Sequence, residues 1–266
     1  KGDWGAVKLG RVNELTTETI RKFDPFYQYG VGSMMYGSQR VRGIDNTIRY
    51  DSPNWSGFHF GATYSLGDNM DSDSRSSHGD TLKADGADND GYGIMLGYDN
   101  GPLALVGNWS RLADSRKSSV WNLGAAYRFG PAKVELLYQQ TKDKGYALGD
   151  QSAWKTAKLD NKLTAYAGAD DIQENQWLLG VEWKLGPGRL NASAQWMEVE
   201  ANGGMHISDK DIYKYAIGYT YDLSKRTAIY GNVAYTDYDD EDVARLYGDT
   251  DDGTYGVQVG IKIGRA

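Results

Sequence analysis

Apolar and polar positions alternate along most of this chain, the period-two signature of extended strands with two chemically different faces. In residues 46–67, Ile48 and Tyr50 oppose Thr47 and Arg49. After Pro53, the set Phe58, Phe60, Ala62, Tyr64, Leu66 opposes His59, Gly61, Thr63 and Ser65. The same alternation recurs at 92–98, 103–109, 121–129, 133–139, 177–185, 190–196, 213–221, 229–235 and 255–263, and the opening AVKLGR adds one more strand. Together these predict twelve strands, with no amphipathic helix of ordinary length between them.

The connections alternate too. Short turns read DSPNWSG, DNGPL, FGPAK, LGPGR and LSKRT, and they hold four of the five prolines: Pro53, Pro102, Pro131 and Pro187. Proline cannot donate to a ladder and therefore collects where strands end. The other connections, at 12–43, 68–89, 143–172, 201–210 and 238–253, with a brief one near 113–118, are mostly longer and more polar. Short–long alternation of this kind is an antiparallel up-and-down meander with two unlike rims.

The chemistry of the two faces decides which one is inside. The apolar face carries Trp109, Trp121, Trp177, Trp183 and Trp196, with Tyr219 and Tyr221 near strand ends. The other carries Lys, Arg, Glu, Gln, Asn and Gly on strand after strand. A dry core could not hold so many charges without large desolvation costs, whereas a water-filled lumen can. The expected fold is therefore all-β: a transmembrane antiparallel up-and-down β-barrel forming one domain over residues 1–266, with those seven aromatics as a lipid-facing belt.

Composition narrows this further. The 266 residues include 34 Gly, 20 Tyr and 8 Trp. No cysteine is present, which excludes disulfides, thiolate metal sites and cysteine catalysis. Mean hydropathy is −0.62, and no run is apolar and long enough for a membrane-spanning helix. A net charge of −7 argues against nucleic acid as a partner. No signal sequence opens the chain, and KGDWGAVKLGR reads as the middle of a fold.

WGAVKLGR, a long loop, RVRGIDNTIRYDSPNWSGF, and the later AAYRFG and YTYDLSKRT resemble the trimeric general porins of Gram-negative outer membranes over essentially the whole chain. The resemblance implies a barrel of 16 strands, about twelve of them readable here, and passive diffusion of small hydrophilic solutes. It also implies a homotrimer embedded in the lipid bilayer, in contact with lipopolysaccharide. The family runs about four further strands before KLGR and ends in an aromatic residue; this chain stops at IKIGRA and is expected to be an internal portion of a longer porin.

Residues 12–43 match the family's third loop, which folds inward and narrows the channel. This implies a constriction bearing Glu14, Glu18, Asp24, Arg21, Lys22, Arg40 and Arg42, faced on the wall by Lys8, Asp45 and Arg49. Opposed charges at such a point set selectivity. By strand parity the inner wall carries Lys8, Arg49, Arg128, Lys133, Lys184, Lys214 and Lys262 against Asp45, Glu135, Glu182 and Asp222, so weak anion preference is expected.

Signals for chemistry are faint. His59, His78 and His206 are scattered without metal-ligand spacing, so neither metal nor cofactor is expected. DNMDSD lacks the Gly and closing Glu of a calcium loop. Glu135 and Glu182 would make a carboxylate pair only if the fold brought them together. A barrel enzyme of the outer membrane and a soluble all-β carbohydrate-binding protein are the competing classes; the first needs clustered His with acids or Ser, the second extraction without detergent.

Overall fold

The computed structural model describes residues 1–35, 43–66, 90–112, 118–143, 169–203, 207–239, 241–246, 249 and 251–264. The Asp-rich stretch 68–89, most of 143–172, and Arg40, Arg42, His78 and His206 lie outside them.

Among the described residues, twelve strands form one sheet in sequence order, each antiparallel to the next. They are β1 (Ala6–Val12), β2 (Ile44–Asp51), β3 (Phe58–Ser65), β4 (Gly91–Asn100), β5 (Leu103–Arg111) and β6 (Ser119–Phe129). The remainder are β7 (Ala132–Asp143), β8 (Ala169–Leu185), β9 (Gly188–Gly203), β10 (Ile207–Asp222), β11 (Thr227–Tyr238) and β12 (Gly253–Ile263). The all-β meander read from the alternation is the fold of the chain.

Two boundaries differ from the sequence pattern. β9 runs to Gly203 and β10 starts at Ile207, so the expected connection 201–210 is mostly strand. β8 likewise begins at Ala169, inside the expected 143–172 loop. Ladder bonds are made by backbone groups, so pairing continues where the side-chain alternation fades into polar residues.

Two short helices occur in the long connections: α1 (Leu15–Lys22) and α2 (Glu241–Leu246). Glu14 caps α1, its side chain accepting from the Thr16 and Thr17 N–H groups at 2.7 and 3.2 Å. Glu18 sits in the first turn and Arg21 and Lys22 in the last, each suited to the helix dipole. Eight residues are too few to hold a helix alone, so α1 depends on what it packs against.

The outward face is apolar and aromatic. Trp109, Trp177, Trp183, Trp196 and Tyr221 are each between 39 and 45% exposed, and Leu9, Leu96 and Ile217 exceed 50%. The aromatics form two rows. Near the long-loop rim, register brings Tyr64 beside Tyr92, Trp109 beside Trp121, Tyr138 beside Trp177, Trp177 beside Trp196, and Trp196 beside Tyr213. Near the short-turn rim stand Phe58, Tyr98, Tyr127, Phe129, Trp183, Tyr219 and Tyr221. Tyr213 and Tyr221, eight residues apart on β10, span roughly 27 Å of strand, or about 20 Å of height at a strand tilt near 40°. Between the rows the outward positions are aliphatic or small, such as Leu179, Val181, Ala192, Ala194, Ile217 and Val233.

The sheet must curl around its other face. Laid flat, β2 and β12 would stand roughly 48 Å apart at strand spacing. Yet Glu18 pairs with Arg49 on β2 and Val31 donates to Gln258 on β12. Only thirteen residues join Glu18 to Val31, part of them helical, and they reach at most about 36 Å.

Candidate functional site

Residues 13–35 lie against the inner face of the sheet. Their apolar side chains settle on inward-facing apolar wall residues: Ile20, Phe23 and Met34 pack with Ala126, Leu137 and Leu178, and Phe26 packs with Ala216 and Ala234. Phe23, Met34, Leu137 and Leu178 are at most 2% exposed. Two wall glycines make room. A Cβ on Gly180 would stand 2.7 Å from Pro25 Cδ, and one on Gly124 would stand 3.0 Å from the Phe23 ring.

Hydrogen bonds complete the attachment. Met35 N–H donates to Gln195 Oε1 at 2.6 Å, Gln176 Nε2 to the Met35 carbonyl at 3.0 Å, and Lys214 Nζ to the Ser33 carbonyl at 2.9 Å. Asp24, fully buried, accepts from the N–H groups of Phe26, Gln28 and Met34 at 2.9, 2.9 and 3.0 Å and so ties the segment into one turn. Burial lifts its carboxyl above the ordinary range, against the pull of those three donors and of Lys214. Tyr27 and Gln28 sit at φ 54° and 61°, left-handed conformations that cost roughly 1–2 kcal/mol per residue. The Asp24 bond to Gln28 and the Tyr27 side-chain contacts offset that cost.

Charges gather in two groups, one on each flank of the segment. On the β1–β4 flank, Lys8 and Arg49 are direct register partners. Asp51 joins them: its Oδ2 is 2.9 Å from Lys8 Nζ and its Oδ1 is 2.7 Å from Arg49 Nη2. Glu18 of α1 reaches Arg49 Nη1 at 2.7 Å, and the same nitrogen donates to the Asn13 carbonyl at 3.1 Å. Two bases thus meet two acids. The Arg49 side chain is 5% exposed and that of Lys8 is 47% exposed. Beside them a cavity of about 210 Å³ opens between α1 and the wall, with Glu18, Lys22, Arg49, Asp51, His59 and Asp99 among its lining. Lys22 and His59 each approach Asp99 Oδ2 at 3.6 Å.

On the β6–β9 flank the centre is Glu182. Its Oε2 accepts from the Tyr27 hydroxyl at 2.6 Å and lies 3.4 Å from Arg189 Nη1, while its Oε1 lies 3.2 Å from Lys133 Nζ. Lys133 also bonds Glu135 and donates to the Lys22 carbonyl at 3.0 Å. The Arg189 guanidinium stacks over the Tyr27 ring at 5.3 Å. Burial and the Glu182 carboxylate push the Tyr27 phenol up, so it stays a proton donor.

The expected residues therefore take different places. Lys8, Arg49 and Glu18 come together. Glu14 is 3% exposed and caps α1 while accepting from the Ser110 hydroxyl. Asp24 is a buried turn organiser. Arg21 is half-buried, with its guanidinium 5.6 Å from the centre of the Tyr29 ring. Asp45 pairs with Arg11 at 3.1 Å, at the opposite end of β2 from Asp51. Glu135 and Glu182, separate in sequence, are bridged by Lys133.

Asp51, Asp99, Tyr27 and Arg189 were absent from the expected constriction set. Parity alone marks Asp51, two residues past Arg49, and Asp99, two past Gly97. Tyr27 carries no sequence signal for its partner across 155 residues.

Comparison with known proteins agrees with this architecture. Residues 1–241 match the Gram-negative porin family model. An outer membrane porin protein of Bordetella pertussis is 29% identical over 255 residues, covering 87% of this chain, and this chain spans 63% of that relative's length. Outer membrane porin protein 32 of Delftia acidovorans is 28% identical, with 98% of this chain and 70% of the relative covered. The anion-selective porin from Comamonas acidovorans superposes with a TM-score of 0.71 at 25% identity, over 99% of this chain and 75% of that one. With its meander of strands, aromatic-rich outer face and charged inner face, the chain belongs to the Gram-negative porins of the outer membrane.

Proposed function

We propose that this chain lines a water-filled channel through which small hydrophilic solutes and ions diffuse without a chemical step. In this reading residues 12–43 form the constriction, with Lys8, Arg49, Glu18 and Asp51 at its edge, and the barrel works as a homotrimer among lipid and lipopolysaccharide. The observation that carries the proposal is the partition of charge. Ion pairs crowd the inner face around an open cavity, while the described outward positions between the aromatic rows are uncharged. Because Lys8 and Arg49 are matched by Asp51 and Glu18, their flank is electrically near neutral. Any anion preference then comes from the β6–β9 flank, and it is expected to be weak. That the similar porin of Comamonas acidovorans is anion-selective supports that sign.

Two measurements test this. In planar bilayers the protein should give stepwise ohmic conductance, with a reversal potential in a KCl gradient displaced modestly toward that of chloride. Absence of conductance from folded, heat-modifiable protein would refute the channel. Separately, lipids brominated along their chains should quench Trp fluorescence strongly, since Trp109, Trp177, Trp183 and Trp196 are on the outer face. Quenching by aqueous acrylamide alone would refute the lipid-facing belt.

A further inference from the structure

The inner face at the short-turn rim of β6–β9 carries an arrangement that the pinned segment does not explain. Register sets Arg128 directly opposite Lys133, and Lys184 directly opposite Arg189. Like charges facing each other across a ladder, with Cβ atoms about 5 Å apart, destabilise a sheet. Here this happens twice on four neighbouring strands. The nearby carboxylates do not relieve both pairs. Glu182 and Glu135 engage Lys133, and Glu182 also takes Arg189. Both acids are buried, at 6 and 0% exposure, beneath the segment. Among the described residues no ion pair involves Arg128 or Lys184, and both are exposed. Asp222 lies on the far side of Arg189, two residues beyond its partner Thr220.

Resting on the channel reading above, we infer that Arg128 and Lys184, flanked by Lys133 and Arg189, form an oxyanion-binding station at the turn-side mouth, selective for tetrahedral dianions of the phosphate type. A tetrahedral dianion carries enough charge to relieve both like-charge pairs, and its several acceptor oxygens can take a guanidinium fork and an ammonium together. A chloride ion relieves only one. The station would hold an anionic solute on one side of the narrow zone, away from the charge-balanced group around Arg49.

The test uses inorganic phosphate at a pH where it is a dianion. Phosphate-31 NMR linewidths are followed with the detergent-folded protein, and chloride current is followed in bilayers as phosphate is added. The parent should broaden the phosphate signal and lose chloride current at millimolar phosphate. The double variant Arg128→Gln/Lys184→Gln should need about ten-fold more phosphate for both effects, two charge-assisted contacts having been removed. Lys262→Gln, which removes an inner-wall charge elsewhere, should leave both concentrations unchanged. Equal broadening by parent and double variant, or an equal loss in Lys262→Gln, overturns the station. A protein that binds phosphate in this residue-specific way yet passes no current supports the station and refutes the channel reading instead.

Discussion

Arg49→Glu should turn the channel toward cations, lowering the chloride-to-potassium permeability ratio several-fold. The substitution replaces two acids facing two bases by three acids facing Lys8 alone. The site is partly enclosed by α1, so these charges are screened less than surface charges are. The change is also mechanical. Arg49 holds Glu18 and the Asn13 carbonyl; because the Glu18 side chain is 37% exposed, losing the pair costs less than the roughly 3–5 kcal/mol typical of a fully buried one. Part of the N-terminal end of α1 should therefore come loose, and open-channel noise should rise. Lys8→Glu should act in the same direction but less, because the Lys8 side chain is nearly half exposed and, among the described residues, is paired with Asp51 alone. Reversal potentials across a KCl gradient compare the parent with both variants. Unchanged ratios in both would remove these residues from the narrow zone.

Glu182→Gln should have the opposite sign of effect on selectivity and a larger one on conductance. The carboxylate holds Tyr27 of the inner segment and two wall cations at once. Its neutral replacement weakens all three contacts and leaves Lys133 and Arg189 with less counter-charge. Anion preference should increase, and single-channel conductance should rise as the segment shifts from the wall. Tyr27→Phe separates the two consequences. It removes the hydroxyl tether and the 3.4 Å bond that Arg189 donates to it, but leaves Arg189 and Lys133 their Glu182 counter-charge, so conductance and noise should change while the permeability ratio stays near the parent's. Trypsin gives an independent readout, since a loosened segment offers Arg21 and Lys22 for cleavage. If Glu182→Gln matches the parent in ratio, conductance and cleavage, the carboxylate does not hold the segment.

Strand order, the identity of the two faces and the positions of the short turns were all legible in the sequence. Each follows from a local rule. Side chains alternate along a strand, so Ile48 and Arg49 must face opposite ways whatever else the chain does. Proline and glycine end ladders, so the turns at Pro131 and Pro187 mark themselves. Asp51 and Asp99 could have been read by extending the same parity.

Contacts across the interior were settled only by the tertiary structure. Leu137 and Leu178 break the polar inner face, as the doubled leucines of ELLYQ and WLLGV hint. Their purpose appears only once Phe23 and Met34 rest on them. Glu14 and Asp24 look like constriction charges in a loop rich in acids. The fold instead spends one on capping α1 and the other on three backbone N–H groups. A helix of eight residues has too little intrinsic stability to announce itself, and it exists because a wall is there to receive it. The physical reason is the same in each case. Alternation and turn chemistry act between neighbours in sequence, whereas the pairing of Tyr27 with Glu182 depends on a curled sheet closing a separation of 155 residues.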